Sequence, residues 1–67
     1  MNYRIRVKGQ VSSSWQEWFG GLQITPEEGG TTVFSGFFQD QAALYGVLLK
    51  IRSLNLTLLS LETGESP

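Results

Sequence analysis

The order of hydrophobic patterns in this chain predicts an α+β domain of four strands and two helices, the first helix short. Three observations carry that reading. The N-terminal stretch alternates apolar and charged residues with a period of two. The segment from Asp40 to Leu54 repeats its apolar residues with the period of an α-helix. Stretches rich in Thr, Val, Phe and Leu flank that helix on both sides. A chain of 67 residues has room for one domain, read as residues 1–62, with a frayed polar tail at 63–67.

Tyr3, Ile5, Val7 and Val11 alternate with Arg4, Arg6, Lys8 and Gln10, the pattern of a half-buried strand. Gly9 interrupts its apolar face, where a bulge or a close backbone approach fits. Next, Trp15, Trp18, Phe19 and Leu22 are spaced i, i+3, i+4, i+7 behind Ser12-Ser13-Ser14. Ser14 and Glu17 have the spacing of a capping box, and Gly20-Gly21 supplies a stop. Residues 14–20 therefore read as a short helix nailed down by its two tryptophans, with packing required because its length alone is marginal. Leu22 and Ile24 start a second strand limited by Pro26, which suits strand ends or edges. Glu27-Glu28-Gly29-Gly30 reads as a hairpin turn.

Thr31 to Gln39 reads as a third strand, with Phe34 and Phe38 on one face and Val33 and Phe37 on the other. A strand apolar on both faces is central or has its second face covered. Asp40 is a good N-cap, and the helix after it gathers Leu44, Val47, Leu48, Ile51 and Leu54 on one arc. Asn55 suits its C-terminal end, and Leu56 to Glu62 is the last strand, again apolar on both faces.

Strand, short helix, strand, strand, long helix, strand is the order of two βαβ halves joined by a hairpin. That is the ferredoxin-like βαββαβ sandwich. Its tight place is the first crossover. Such connections take about a dozen residues, and Ser12 to Gly21 supplies ten. The alternative is a three-stranded meander, then the long helix and a fourth strand.

A chain this short buries only about 60% of the surface it exposes when unfolded, and domains of its size gain support from disulfides, metals or oligomerisation. With no Cys and no His, disulfides are excluded and the common zinc ligands are missing. Oligomerisation is the support that remains. Five cations against six carboxylates give a net charge of −1, not the field of a dedicated nucleic-acid binder. No apolar run approaches the length of a membrane span, and Met1-Asn2-Tyr3-Arg4 does not open a signal peptide. The expectation is a cytoplasmic protein without a membrane partner.

Catalytic chemistry finds little to stand on. Serine nucleophiles lack a histidine base, and Ser12 to Ser14 read as loop and cap. The adjacent carboxylates Glu27-Glu28 sit in a turn where solvation is their ordinary state, and Asp40 is a cap. Val7-Lys8-Gly9-Gln10-Val11 resembles the V-x-G-x-V opening of the acylphosphatases, but Ser12-Ser13-Ser14-Trp15 lacks the glycine and arginine of their phosphate loop. Gly36 through Leu61 resembles the strand–helix–strand unit of ACT-type regulatory domains, without their glycine at the helix start. The expectation is no enzyme, no cofactor and no metal.

Two surfaces are left to explain. Opposite the core arc, Ala42, Tyr45, Gly46 and Leu49 form a second stripe at i, i+3, i+4, i+7. Glycine costs about 1 kcal/mol against alanine within a helix, and a small residue beside an aromatic and a leucine suits a partner helix. These four are the candidates for an oligomer interface. Arg4, Arg6 and Lys8 form a basic stripe on the first strand, the candidate site for an anionic ligand or nucleic acid. The third-strand segment Val33-Phe34-Ser35-Gly36-Phe37-Phe38 matches the RNA-binding consensus only loosely.

Trp18-Phe19-Gly20-Gly21-Leu22, together with the run from Asp40-Gln41-Ala42-Ala43-Leu44-Tyr45-Gly46 to Leu54, resembles a family of small uncharacterised bacterial proteins of similar length. The resemblance covers nearly the whole chain. It implies bacterial origin and a cytosolic setting, and brings no activity with it. The reading from sequence is a homo-oligomeric, non-enzymatic binding or regulatory domain, with anion or nucleic-acid binding as its alternative.

Overall fold

The computed structural model describes residues 2–63. In chain order these form β1 (Asn2–Lys8), a 3-10 turn (Ser13–Trp15), β2 (Gln23–Glu27), β3 (Thr31–Phe37), α1 (Gln41–Ser53) and β4 (Thr57–Thr63). The four strands make one sheet in the order β2-β3-β1-β4, and every neighbouring pair is antiparallel. The fold is α+β with a four-stranded antiparallel sheet and one helix. The two-helix ferredoxin-like βαββαβ sandwich is not matched, because the crossover from β1 to β2 has no α-helix. The meander is excluded as well, since β1 pairs with β3 and β4 and not with β2. Thr63, expected in the tail, closes β4; residues 64–67 of that expected tail lie outside the described residues.

The missing helix has a local cause. Ser12, not Ser14, caps the turn, accepting from the Ser14 N–H at 3.2 Å. Past Trp15 the bonds are mixed, with Phe19 N–H shared between the Trp15 and Gln16 carbonyls and Gly21 N–H reaching back to Gln16. Gly20 and Gly21 both take positive φ, +76° and +85°, and end the segment after barely two turns. So short a helix cannot offset its nucleation cost. Phe19 and Leu22 reach the core, while Trp15 and Trp18 each remain 40% exposed.

Helix α1 matches its sequence signals closely. Asp40 accepts from the Ala43 N–H at 2.9 Å. At the other end Asn55 is left-handed at φ +63°, with Asn55 N–H bonded to Arg52 O and Leu56 N–H to Ile51 O. That pair is a Schellman closure. Leu44, Val47 and Ile51 are buried against the sheet, with Leu48 and Leu54 half-buried beside them.

Residues directly opposite in neighbouring strands share a face. Ile5, Phe34 and Ile24 are mutual partners, and with Val7, Phe19, Leu22 and Phe38 they form the core under α1. The other face carries Arg4, Arg6 and Lys8, with Val33, Ser35, Gln23 and Thr25 across from them. Strand β3 is central and two-sided, as expected: Val33 is 6% exposed on the second face, whereas Phe37 there is 70% exposed.

Strand β1 ends at Lys8, short of the expected Val11, because Gly9 turns the chain at φ +130°. The expected close approach is there. Gly9 N–H donates to Gly30 O at 2.6 Å, and the Thr32 hydroxyl donates to Gly9 O at 2.7 Å. The bulge lies elsewhere, in β4. Arg6 faces Ser60 while Val7 faces Leu58, so Leu59 is the extra residue. Strict alternation would send Leu58 and Leu61 to opposite faces; the bulge puts both on the helix side, opposite Val7 and Ile5.

Candidate functional site

Of the apolar stripe on α1, Tyr45 is 58% and Leu49 63% exposed, Ala42 is exposed, and Gly46 is half-buried. Successive helical residues are about 100° apart, which separates the stripe into two flanks. Gly46 turns with Ala43, Val47 and Lys50 toward the 9–22 crossover. Tyr45 turns the other way with half-buried Leu48, while Leu49 points almost straight away from the sheet, about 170° from the core arc. Because α1 leads from β3 over β1 to β4, that second flank faces β4. Leu58 and Leu61, on the helix side of β4, are 47% and 42% exposed. A single helix does not reach across all four strands, so this end of the apolar sheet face is left open. Leu59, the bulged residue between Leu58 and Leu61, is 50% exposed. Sequence periodicity identified Tyr45 and Leu49 and missed the pairing of Leu58 with Leu61, which only the bulge creates.

On the first flank is a groove of about 240 Å³, lined by Phe19, Leu22, Phe38 and Val47 with Gly20, Ala43 and Gly46 at its walls. The segments Trp18–Leu22 and Asp40–Leu54 meet across it. Lys50 crosses its mouth, donating to Trp18 O at 2.7 Å with its ammonium 5.3 Å from the centre of the Trp18 ring. A β-carbon added at Gly46 meets nothing within 4 Å, so packing within one subunit does not demand glycine. Gly46→Ala is expected to stabilise the fold by about 0.5–1 kcal/mol, read as a higher urea midpoint.

The basic stripe lies on the opposite sheet face, where Arg4, Arg6, Gln23, Thr25, Glu27 and Ser35 surround Val33 in a second depression of about 240 Å³. Arg6 is engaged already. Its Nε donates to Glu27 at 3.0 Å, and its Nη1 lies 3.9 Å from Glu62. The hydrogen bond to Glu27, then the Glu27 charge, raise the Arg6 pKa; desolvation opposes them, and Glu62 adds a smaller push upward. Arg4 and Lys8 have no carboxylate partner among the described residues. Three cations against two nearby carboxylates leave a weak local field.

The polar groups that could serve catalysis have structural partners. Glu27 holds Arg6, Asp40 caps α1, and the Ser12 and Ser14 hydroxyls bond each other at 3.0 Å. Among the described residues no cluster of three or more metal-ligating side chains occurs. No described helix is long and apolar enough to cross a membrane.

The chain belongs to the family described as Domain of unknown function (DUF8691), whose model matches residues 2–62. No curated protein and no solved structure matches it.

Proposed function

We propose that this chain is a homo-oligomeric, non-enzymatic binding or regulatory domain of the cytoplasm, and that its first partner is a second copy of itself. The observation that supports the reading is the set of exposed apolar residues on two adjoining elements, Tyr45 and Leu49 on α1 and Leu58 and Leu61 on β4, each at least 42% exposed. Isolated exposed leucines are ordinary; a group drawn from two adjoining elements marks an interaction surface. Scale favours the same reading. A standard interface covers about 800 Å² per partner, roughly a sixth of the 4565 Å² surface. Dimerisation therefore relieves much of the burial deficit of so small a domain. The likeness of the two quoted segments to a bacterial family accords with a cytoplasmic setting.

Tyr45→Glu tests the reading. Tyr45 is 58% exposed, so the variant is expected to keep its circular dichroism while its dimer dissociation constant rises about tenfold or more, a change worth about 1.4 kcal/mol. An unchanged mass by light scattering would count against this surface. Anion binding through Arg4, Arg6 and Lys8 ranks second, supported by the lack of carboxylate partners for Arg4 and Lys8 and weakened by the ion pairs of Arg6. Salt-sensitive binding of RNA or DNA that disappears when these residues become Gln would favour it.

A further inference from the structure

We propose that two copies pair edge to edge through β4, antiparallel, into one continuous eight-stranded sheet, with Tyr45, Leu58 and Leu61 of each copy closing the seam on the helix side. The inference rests on the self-association reading and names the surface that carries it.

The two edges of the sheet, β2 and β4, are built differently. Strand β2 has five residues and contains Pro26, which has no N–H to offer a new strand, followed by Glu27 and Glu28. Proline and charge are the ordinary means of blunting an edge. Strand β4 has seven residues, Thr57-Leu58-Leu59-Ser60-Leu61-Glu62-Thr63, with no proline, glycine, lysine or arginine. Its single charge, Glu62, lies 3.9 Å from Arg6 of the same copy, a cation that partly offsets the repulsion between two such edges. The bulge at Leu59 bends the strand, but Ser60 to Thr63 continue in regular register with Arg6 to Tyr3. A long, apolar, nearly uncharged edge left open is a site of aggregation.

Symmetry selects the occupant. A twofold axis perpendicular to the sheet sets two β4 strands antiparallel, the same patch meeting itself, and such an interface closes at two subunits. Each copy thereby uses its unblunted edge, and both ends of the joined sheet are β2, where Pro26 stops further addition. The same axis keeps both α1 helices on one side of the sheet. Neighbouring strands lie about 4.8 Å apart, so the β4-facing flanks of the helices, with Leu48 and Tyr45, border the seam. Leu58 and Leu61 from both copies form its floor. Gly46, on the groove flank, lies away from this seam.

Hydrogen exchange of the wild-type protein at high and low concentration, read at the backbone amides of β4 and β2, tests the pairing without a variant. The β4 amides are expected to be protected in the dimer and to lose that protection on dilution, with β2 unchanged. As a second arm, Leu59→Lys adds a cation to each of the two paired edges and is expected to raise the dimer dissociation constant about tenfold or more, whereas Thr25→Lys on β2 leaves it unchanged. A dimer whose β4 amides exchange as freely as those of β2, or that tolerates Leu59→Lys while still folded, overturns edge pairing and leaves self-association standing. A monomer at every concentration overturns both.

Discussion

Phe34→Ala is expected to cost the chain much of its stability at 25 °C. Phe34 is fully buried in central strand β3, opposite Ile5 on one side and Ile24 on the other, with its ring 4.6 Å from that of Phe19. It joins three strands and the crossover segment at one point. Truncating a buried phenylalanine costs about 3–5 kcal/mol, from lost transfer energy and the cavity left behind. Total stability runs at about 0.05–0.15 kcal/mol per residue, roughly 3–10 kcal/mol for a chain of this length. One substitution therefore removes between about a third and all of it. Urea unfolding followed by circular dichroism measures the loss, and a change under about 1 kcal/mol would contradict this packing.

Gly9→Ala is expected to cost about 2 kcal/mol or more, a large effect for adding one methyl group. At φ +130° the backbone lies where side chains are strained by about 1–3 kcal/mol, and an added β-carbon would come within 2.6 Å of Leu56 Cδ2. The conformation cannot relax cheaply. Gly9 N–H and C=O are both committed, to Gly30 O and to the hydroxyl of fully buried Thr32. Trimming the overlap with Leu56→Ala in the same chain should not restore the midpoint, because the backbone strain remains. A Gly9→Ala protein within about 0.5 kcal/mol of wild type would show that the turn adapts.

Helix α1 was readable almost residue by residue, because its signals are local. Asp40 caps and Asn55 closes it, and both act through atoms within a few residues of the helix ends. The alternation of Ile5 and Val7 with Arg4 and Arg6 was equally local. The segment from Ser14 to Gly20 misled because its capping-box spacing and aromatic periodicity are helix signals, while its stability depends on length, which it lacks. The strand order was beyond local reach, since the choice between a meander and β2-β3-β1-β4 depends on contacts between distant segments.

The candidate site divides in the same way. Tyr45 and Leu49 follow from the helical period. Gly46 sits on the predicted stripe but lines the groove, because a stripe this wide spans both flanks of a helix. Leu58 and Leu61 share a face only through the bulge opposite Arg6 and Val7, which no period-two pattern can express. The basic stripe was visible, but the carboxylate that engages Arg6 most closely comes from Glu27, 21 residues away on a strand that does not touch β1.

Light scattering of the wild-type protein over a dilution series bears most directly on the central claim, that this surface is completed by a second copy. The expected result is a species of twice the 7.5 kDa chain mass that gives way to the single chain on dilution. A constant 7.5 kDa up to the highest concentration reached would contradict it.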